Sequence, residues 1–235
     1  YFDTCQLKSP GSYVILEHFA DNSEEIELSN YGMMLWGNNV SQYEEAAMGF
    51  VANSNFEGNL FTVRGWSQPH LIGYMESHDE ERVMYKNLQF GNASGSYNEK
   101  DLNTALRRIE LTGSFFYMMP GPKMLWQFGE LGYDYSINYC PDGTVNANCR
   151  TAIKPIRWDY QSIVNRQRIY DVFGALNKLR VHPWFKNNFT SNRIGRSLGG
   201  AFKWLQITTD TSNICVIGNF DVAQQTGNVT FQNAG

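Results

Sequence analysis

The polar and apolar positions of the chain fall into two regimes. Through the first three quarters, short apolar runs alternate with longer amphipathic stretches. Ser12–Phe19 (SYVILEHF) follows Pro10-Gly11 and has the short, β-branched character of a buried strand. Gly32–Trp36 (GMMLW), Leu71–Ser77 (LIGYMES) and Lys123–Phe128 (KMLWQF) read the same way. Ser41–Val51 opens on a serine with glutamates in its first turns, which predicts a helix start. Asp101–Met119 and Ser162–Arg180 are long amphipathic stretches. The first stops at Pro120-Gly121 and the second at His182-Pro183, as helices do before residues that cannot continue them. Strands alternating with helices predict parallel βα units.

After Pro183 the pattern changes. Ala201–Thr208, Asn213–Phe220 and Asn228–Gln232 are strand-like, with turns and no helix between them. They predict the beginning of an all-β domain with too few strands to be complete. The expected division is therefore residues 1–188, built of βα units, and residues 189–235, antiparallel. A (β/α)₈ barrel takes about 250 residues, roughly 31 per unit. The interval from Glu17 to Asp79 fits two such units, so the four strands predict half a barrel. An open half would leave two unpaired edges. The missing N-terminal half of the barrel is accordingly expected upstream of Tyr1, and both ends of the chain read as cut from a longer one.

Composition narrows the function. The formal net charge is only −4 and there is no basic run, so a nucleic-acid footprint is excluded. No stretch approaches the roughly 18 uninterrupted apolar residues of a membrane span. Cys140 and Cys149 flank a Pro/Gly/Asn-rich loop, which predicts a local disulfide and an oxidising, extracytoplasmic setting: secreted, periplasmic or cell-surface. Their spacing is not a zinc pattern, and no metal site is expected in this chain. Cys5 and Cys215 read as buried thiols.

The candidate chemistry sits at the C-terminal ends of the expected strands. Glu17 ends VILE, Ser77-His78-Asp79 ends YMESHD, and Glu130 follows KMLWQFG. A barrel of βα units builds its active site at that face, and a carboxylate ending an apolar run is costly unless paired or used. Trp36 ends the second run, where it either stacks on a ligand or packs in the core.

These segments resemble the alpha-amylase family, glycoside hydrolase family 13. YMESHD (Tyr74–Asp79) is similar to that family's seventh-strand motif, F-V-x-N-H-D, with conservative changes. VILEHF is similar to its fifth-strand segment ending in the acid Glu. PGPKMLWQFGE (Pro120–Glu130) is similar to its eighth-strand segment, P-G-x-P-x-x-Y-x-G-x-E, with the glycine displaced to Gly129. The resemblance runs over nearly the whole chain. It implies strands five to eight of the catalytic barrel, followed by the start of the C-terminal β domain. It implies that Glu17 is the general acid/base and Asp79 the carboxylate that binds sugar hydroxyls and stabilises the transition state. His78 would donate hydrogen bonds to substrate, with Trp36 and Glu130 as further substrate contacts; Glu130 alternatively holds the strand-eight loop.

The implied activity is hydrolysis of α-1,4-linked glucans by a retaining double displacement. Glucosyl transfer, as in branching enzymes, and a non-catalytic carbohydrate-binding relative remain open on these residues. No cofactor is required, and the resemblance allows calcium in the missing part of the parent. Two departures matter. Ser77 stands where the family has Asn. No G-x-R-x-D segment, the family's nucleophile motif, occurs in the chain, so residues 1–235 alone are expected to be inactive.

Overall fold

A computed structural model describes residues 1–231. The chain opens with a short helix, α1 (Phe2–Lys8), and then alternates strand and helix: β1 (Ile15–Leu16), α2 (Asn22–Tyr31), β2 (Met34–Asn38), α3 (Val40–Ala47), β3 (Leu71–Tyr74) and α4 (Val83–Phe90). A small hairpin, β4 (Ala93–Ser94) and β5 (Tyr97–Asn98), leads to the long helix α5 (Leu102–Met118). A loop region with short 3-10 turns connects it to α6 (Val164–Val181). The chain closes on β6 (Ile194–Ser197), β7 (Phe202–Thr208) and β8 (Asn213–Asn219).

β1, β2 and β3 form a parallel sheet in sequential order, with Ile15 opposite Met34 and Leu35 opposite Leu71. The expected parallel βα pattern is therefore present, but the strands are shorter than their apolar runs. The expected fourth strand, 123–128, is reduced to one parallel bridge between Gly73 and Lys123. Gly73 N–H donates to the Pro122 carbonyl at 3.1 Å, and Met124 N–H to the Gly73 carbonyl at 3.0 Å. Pro120 and Pro122 have no N–H, so the ladder cannot extend on the N-terminal side of Lys123. The Lys123 ammonium turns back onto the carbonyls of Pro120, Gly121 and Pro122, at 3.1, 3.0 and 3.2 Å.

Three helices, α1, α2 and α4, went unread in the sequence. α2 is mostly polar, with Ile26 and Leu28 packed against the Leu35, Phe61, Trp66 and Leu71 cluster, and it is well capped. Asp21 accepts from Ser23 N–H at 2.9 Å, and the helix ends on Gly32 in the left-handed region at φ 114°. α4 is two turns long and follows Arg82 directly. The two long helices fall within a few residues of expectation. Asp101 caps α5 by accepting from Asn103 and Thr104 N–H at 3.0 and 3.1 Å. α6 crosses α5 at Gly113, where a Cβ would lie 2.1 Å from the Phe173 ring, so only glycine permits this approach.

At the C-terminus, β6–β7–β8 form an antiparallel sheet. β7 and β8 match the expected strands, and β6 is additional. Residues 228–231 form no strand, and Gln232 lies outside the described residues. One hydrophobic cluster joins this sheet to the helices. Phe56, Phe115 of α5 and Phe220 pack with ring centroids 5.0 to 6.0 Å apart, with Leu205 and Ile207 of β7 in the same cluster.

A buried charge ties the same elements together. Arg108 of α5 is 3% exposed and lies 3.0 Å from Glu99, which is fully buried. The guanidinium also donates to the carbonyls of Ala46 and Ala47 at the end of α3, and of Asn219 and Phe220 at the end of β8. Neither Glu99 oxygen accepts a well-directed hydrogen bond. Burial pushes this carboxyl up to about 7 against the opposing charge of Arg108.

Candidate active site

The parallel register brings the C-terminal ends of β1, β2 and β3 side by side. Glu17 follows β1 directly, Trp36 lies in β2, Tyr74 ends β3, and Ser77 to Glu80 follow beyond it. Together with Phe19 and Met124 they border a pocket of about 260 Å³. Glu17, Trp36, His78 and Asp79, separated by up to 62 positions in sequence, thus meet at one site. Glu17 is exposed and Trp36 half-buried. Trp36 packs edge-on against Tyr74 with centroids 5.7 Å apart. The Tyr74 phenol is pushed up, first by burial and then by the charges of Glu80, Glu17 and Asp79. Its hydroxyl therefore lies within electrostatic reach of all three carboxylates.

The turn that carries Asp79 is held by side-chain hydrogen bonds. Ser77 Oγ accepts from Asp79 N–H at 3.0 Å and donates to the Glu80 carboxylate. A hydroxyl can cap its own turn in this way, so Ser77 organises the turn at the position where Asn stands in the F-V-x-N-H-D motif. Glu80 accepts in turn from Asn38 Nδ2 at 2.8 Å, and Arg82 donates to the Ser77 carbonyl at 3.1 Å. His78 Nε2 lies 3.2 Å from Asp79 Oδ2. The His78 ring packs on Trp126 at 5.8 Å. His18, next to Glu17, turns away to Glu24 at 2.8 Å. Phe19 and Phe128 carry φ of 41° and 57°. Side chains rarely adopt this region. Each is the last residue of an expected strand, and Phe19 lines the pocket.

Glu130 is not brought to this pocket. Beyond Met124 the chain leaves the sheet, reverses at Phe128 and places Glu130 in a 3-10 turn, half-buried, with its carboxyl raised by burial. The sequence did not register Glu80, Tyr74, Asn38 or Arg150. Arg150 donates to the Asp79 backbone carbonyl and, at 3.3 Å, to its carboxylate.

Glu76, just beyond β3, does not line the pocket. It is buried, and its Oε2 accepts from Val83 N–H at 3.0 Å. Burial pushes it up to about 7, with Glu130 and Glu81 adding to the shift and Arg82 and the Val83 N–H opposing it. Between the ordinary value of 4.5 and about 7, the folded state holds a proton that the unfolded chain has released. Stability therefore falls as pH rises through that window. Glu44 and Glu99, also raised to about 7, act in the same direction. The thermal midpoint is expected to be lower at about pH 7.5 than at about pH 5. Glu76→Gln should flatten that slope; an unchanged slope would show that Glu76 does not carry it.

The Cys140–Cys149 disulfide is formed, with Cα atoms 5.2 Å apart, within the span a disulfide allows. Cys5 and Cys215 are free as expected, but half-buried and not buried. The Arg157-Trp158-Asp159 segment holds an ion pair at 2.6 Å, with Arg157 stacked 3.9 Å over the Tyr160 ring. Among the described residues, no three His, Cys, Asp or Glu side chains converge as a metal-ligand set, and no helix is long and apolar enough to cross a membrane.

Comparison with solved structures decides the fold. The catalytic module of the pneumococcal glycogen-degrading protein SpuA superposes with a TM-score of 0.70 at 13% identity, over 94% of this chain and 41% of that one. The fold is that of the α-amylase family of glycoside hydrolases. An α-amylase from H. orenii matches with a TM-score of 0.57 at 12% identity, over 93% of this chain and 45% of its own. AmyP, solved in complex with maltose, matches with 0.57 at 15% identity, over 88% and 45%. The chain thus spans less than half the length of these α-amylase-type structures. No protein-family model and no curated protein sequence matches it.

Proposed function

We propose that this chain supplies the second half of the catalytic barrel of a retaining α-glucan hydrolase acting on α-1,4 linkages. In this reading β1, β2, β3 and the 122–124 segment are strands five to eight of a (β/α)₈ barrel, and the C-terminal domain begins near residue 189. The observation that carries it is the shared pocket of Glu17, Trp36, His78 and Asp79 at the strand ends. The α-amylase-type fold supports it.

The chemistry follows from two carboxylates on either side of a glycosidic bond. Glu17, exposed at the pocket rim, gives its proton to the departing glycosidic oxygen. A carboxylate from outside residues 1–235 attacks the anomeric carbon and forms a covalent glycosyl intermediate. Glu17 then takes a proton from the incoming water, which releases the sugar with its configuration retained. Asp79 and His78 hold sugar hydroxyls and the charge that develops on the ring. Trp36 offers an apolar face to the sugar. No step uses a cofactor. Calcium, which the family resemblance allows, is assigned to the part of the parent outside this chain. The disulfide supports an oxidising, extracytoplasmic setting.

The test is proton NMR of the full-length protein acting on soluble starch. The first product is expected as the α-anomer. Release of the β-anomer, or no release, would remove this reading. Residues 1–235 alone are expected to release no sugar, and turnover by them would place the nucleophile within this chain.

A further inference from the structure

The loop beyond residue 137 is built to be stiff. Cys140 and Cys149 close it. Within it Cys140 N–H donates to the Thr144 carbonyl at 2.8 Å and Asn146 N–H to the Asn138 carbonyl at 2.9 Å. Lys154 returns beneath it, and its ammonium donates to the carbonyls of Tyr139, Cys149 and Ala152 at 3.1, 2.7 and 3.0 Å. The residue after Cys149 is Arg150. Its guanidinium reaches back 71 positions to Asp79, donating to the backbone carbonyl and to carboxylate Oδ1. The other oxygen, Oδ2, faces His78. Each oxygen of Asp79 therefore has its own partner, and only one of the two belongs to the motif that carries Asp79. Arg150 also borders a second cavity, of about 460 Å³, which continues the first past His78 and Asp79.

We propose that Arg150 is a positioning residue for Asp79, and that the Cys140–Cys149 disulfide holds it in place. The proposal rests on the reading of Asp79 as a carboxylate that binds the substrate. A carboxylate that must meet two sugar hydroxyls gains from a fixed orientation, because misplacement erodes the proximity advantage. A guanidinium on a mobile loop would lose side-chain and backbone entropy each time it paired. A loop already closed by a disulfide and a lysine has lost that freedom in folding. The Arg150–Asp79 pair is half-exposed, so its worth is that of a charge-assisted hydrogen bond weakened by solvent, about tenfold in rate.

The test uses the full-length protein on a defined maltooligosaccharide. Arg150→Ala is expected to lower kcat about tenfold with little change in Tm, and Arg150→Lys to recover part of the loss. Replacing both Cys140 and Cys149 by Ser should lower kcat similarly. In the Arg150→Ala background, the same pair of replacements should cost nothing further. Undiminished kcat in Arg150→Ala, alongside loss in Asp79→Asn, would overturn the proposal and leave the functional reading intact. Equal losses from the cysteine replacements in both backgrounds would show that the bridge acts independently of Arg150 and overturn its part. Full activity in Asp79→Asn, or no turnover by the unsubstituted protein, would remove the functional reading and this proposal with it.

Discussion

Glu17→Gln in the full-length protein is expected to lower turnover of soluble starch by about 10⁴-fold, and Asp79→Asn by a comparable factor. Glutamine matches the size of Glu17 but has no proton to give the leaving oxygen. Among the described residues, Glu17 makes no hydrogen bond or ion pair within the fold and is exposed. The change should therefore leave stability within about 0.5 kcal/mol, as surface substitutions do, and the loss is chemical. A leaving group of low basicity needs little protonation, so an aryl glycoside should lose far less than starch on Glu17→Gln. Asp79→Asn should lose on both substrates, because its contribution is to the sugar ring and not to the departing oxygen. Equal losses on starch and the aryl glycoside in Glu17→Gln would mean that Glu17 is not the proton donor.

Arg108→Ala should destabilise the fold by about 3–5 kcal/mol, the usual cost of removing one partner from a buried ion pair. Arg108 satisfies carbonyls at the ends of α3 and β8 and faces the fully buried Glu99. Without it the carbonyls lose their donor, and Glu99 must either hold an unopposed buried charge or take up a proton. For a chain of this size, the loss corresponds to a Tm decrease on the order of 10 °C. Glu99→Gln added to Arg108→Ala should recover part of the loss, since it removes the uncompensated charge. Denaturant unfolding measures both. A single-variant loss below about 1 kcal/mol would show that the pair does not hold these elements together.

Features governed by local rules could be read from the order of residues alone. The ends of α5 follow from Asp101 and Pro120, which act on their immediate neighbours. β3 follows from the apolar run beginning at Leu71. The Cys140–Cys149 bridge joins residues nine positions apart across a turn-rich loop, so it too is a local matter. The placement of Glu17, His78 and Asp79 at strand ends was legible because each stands in a short linear pattern. α2 was partly legible: its cap at Asp21 and its terminal Gly32 were present, but its polar face hid the helical period.

Tertiary structure decided the rest, because pairing depends on partners distant in the chain. The 123–128 run has the composition of a strand. Only Lys123 pairs there, because the chain leaves the sheet once Met124 N–H has reached the Gly73 carbonyl. Glu130 read either as a substrate contact or as a holder of the strand-eight loop, and the reversal at Phe128 leaves it out of the pocket. The Asn38–Glu80 and Arg150–Asp79 contacts cross 42 and 71 positions. No local propensity reaches that far. Only the parallel register of β1, β2 and β3, and the loop closed by the disulfide, bring those side chains within hydrogen-bond distance.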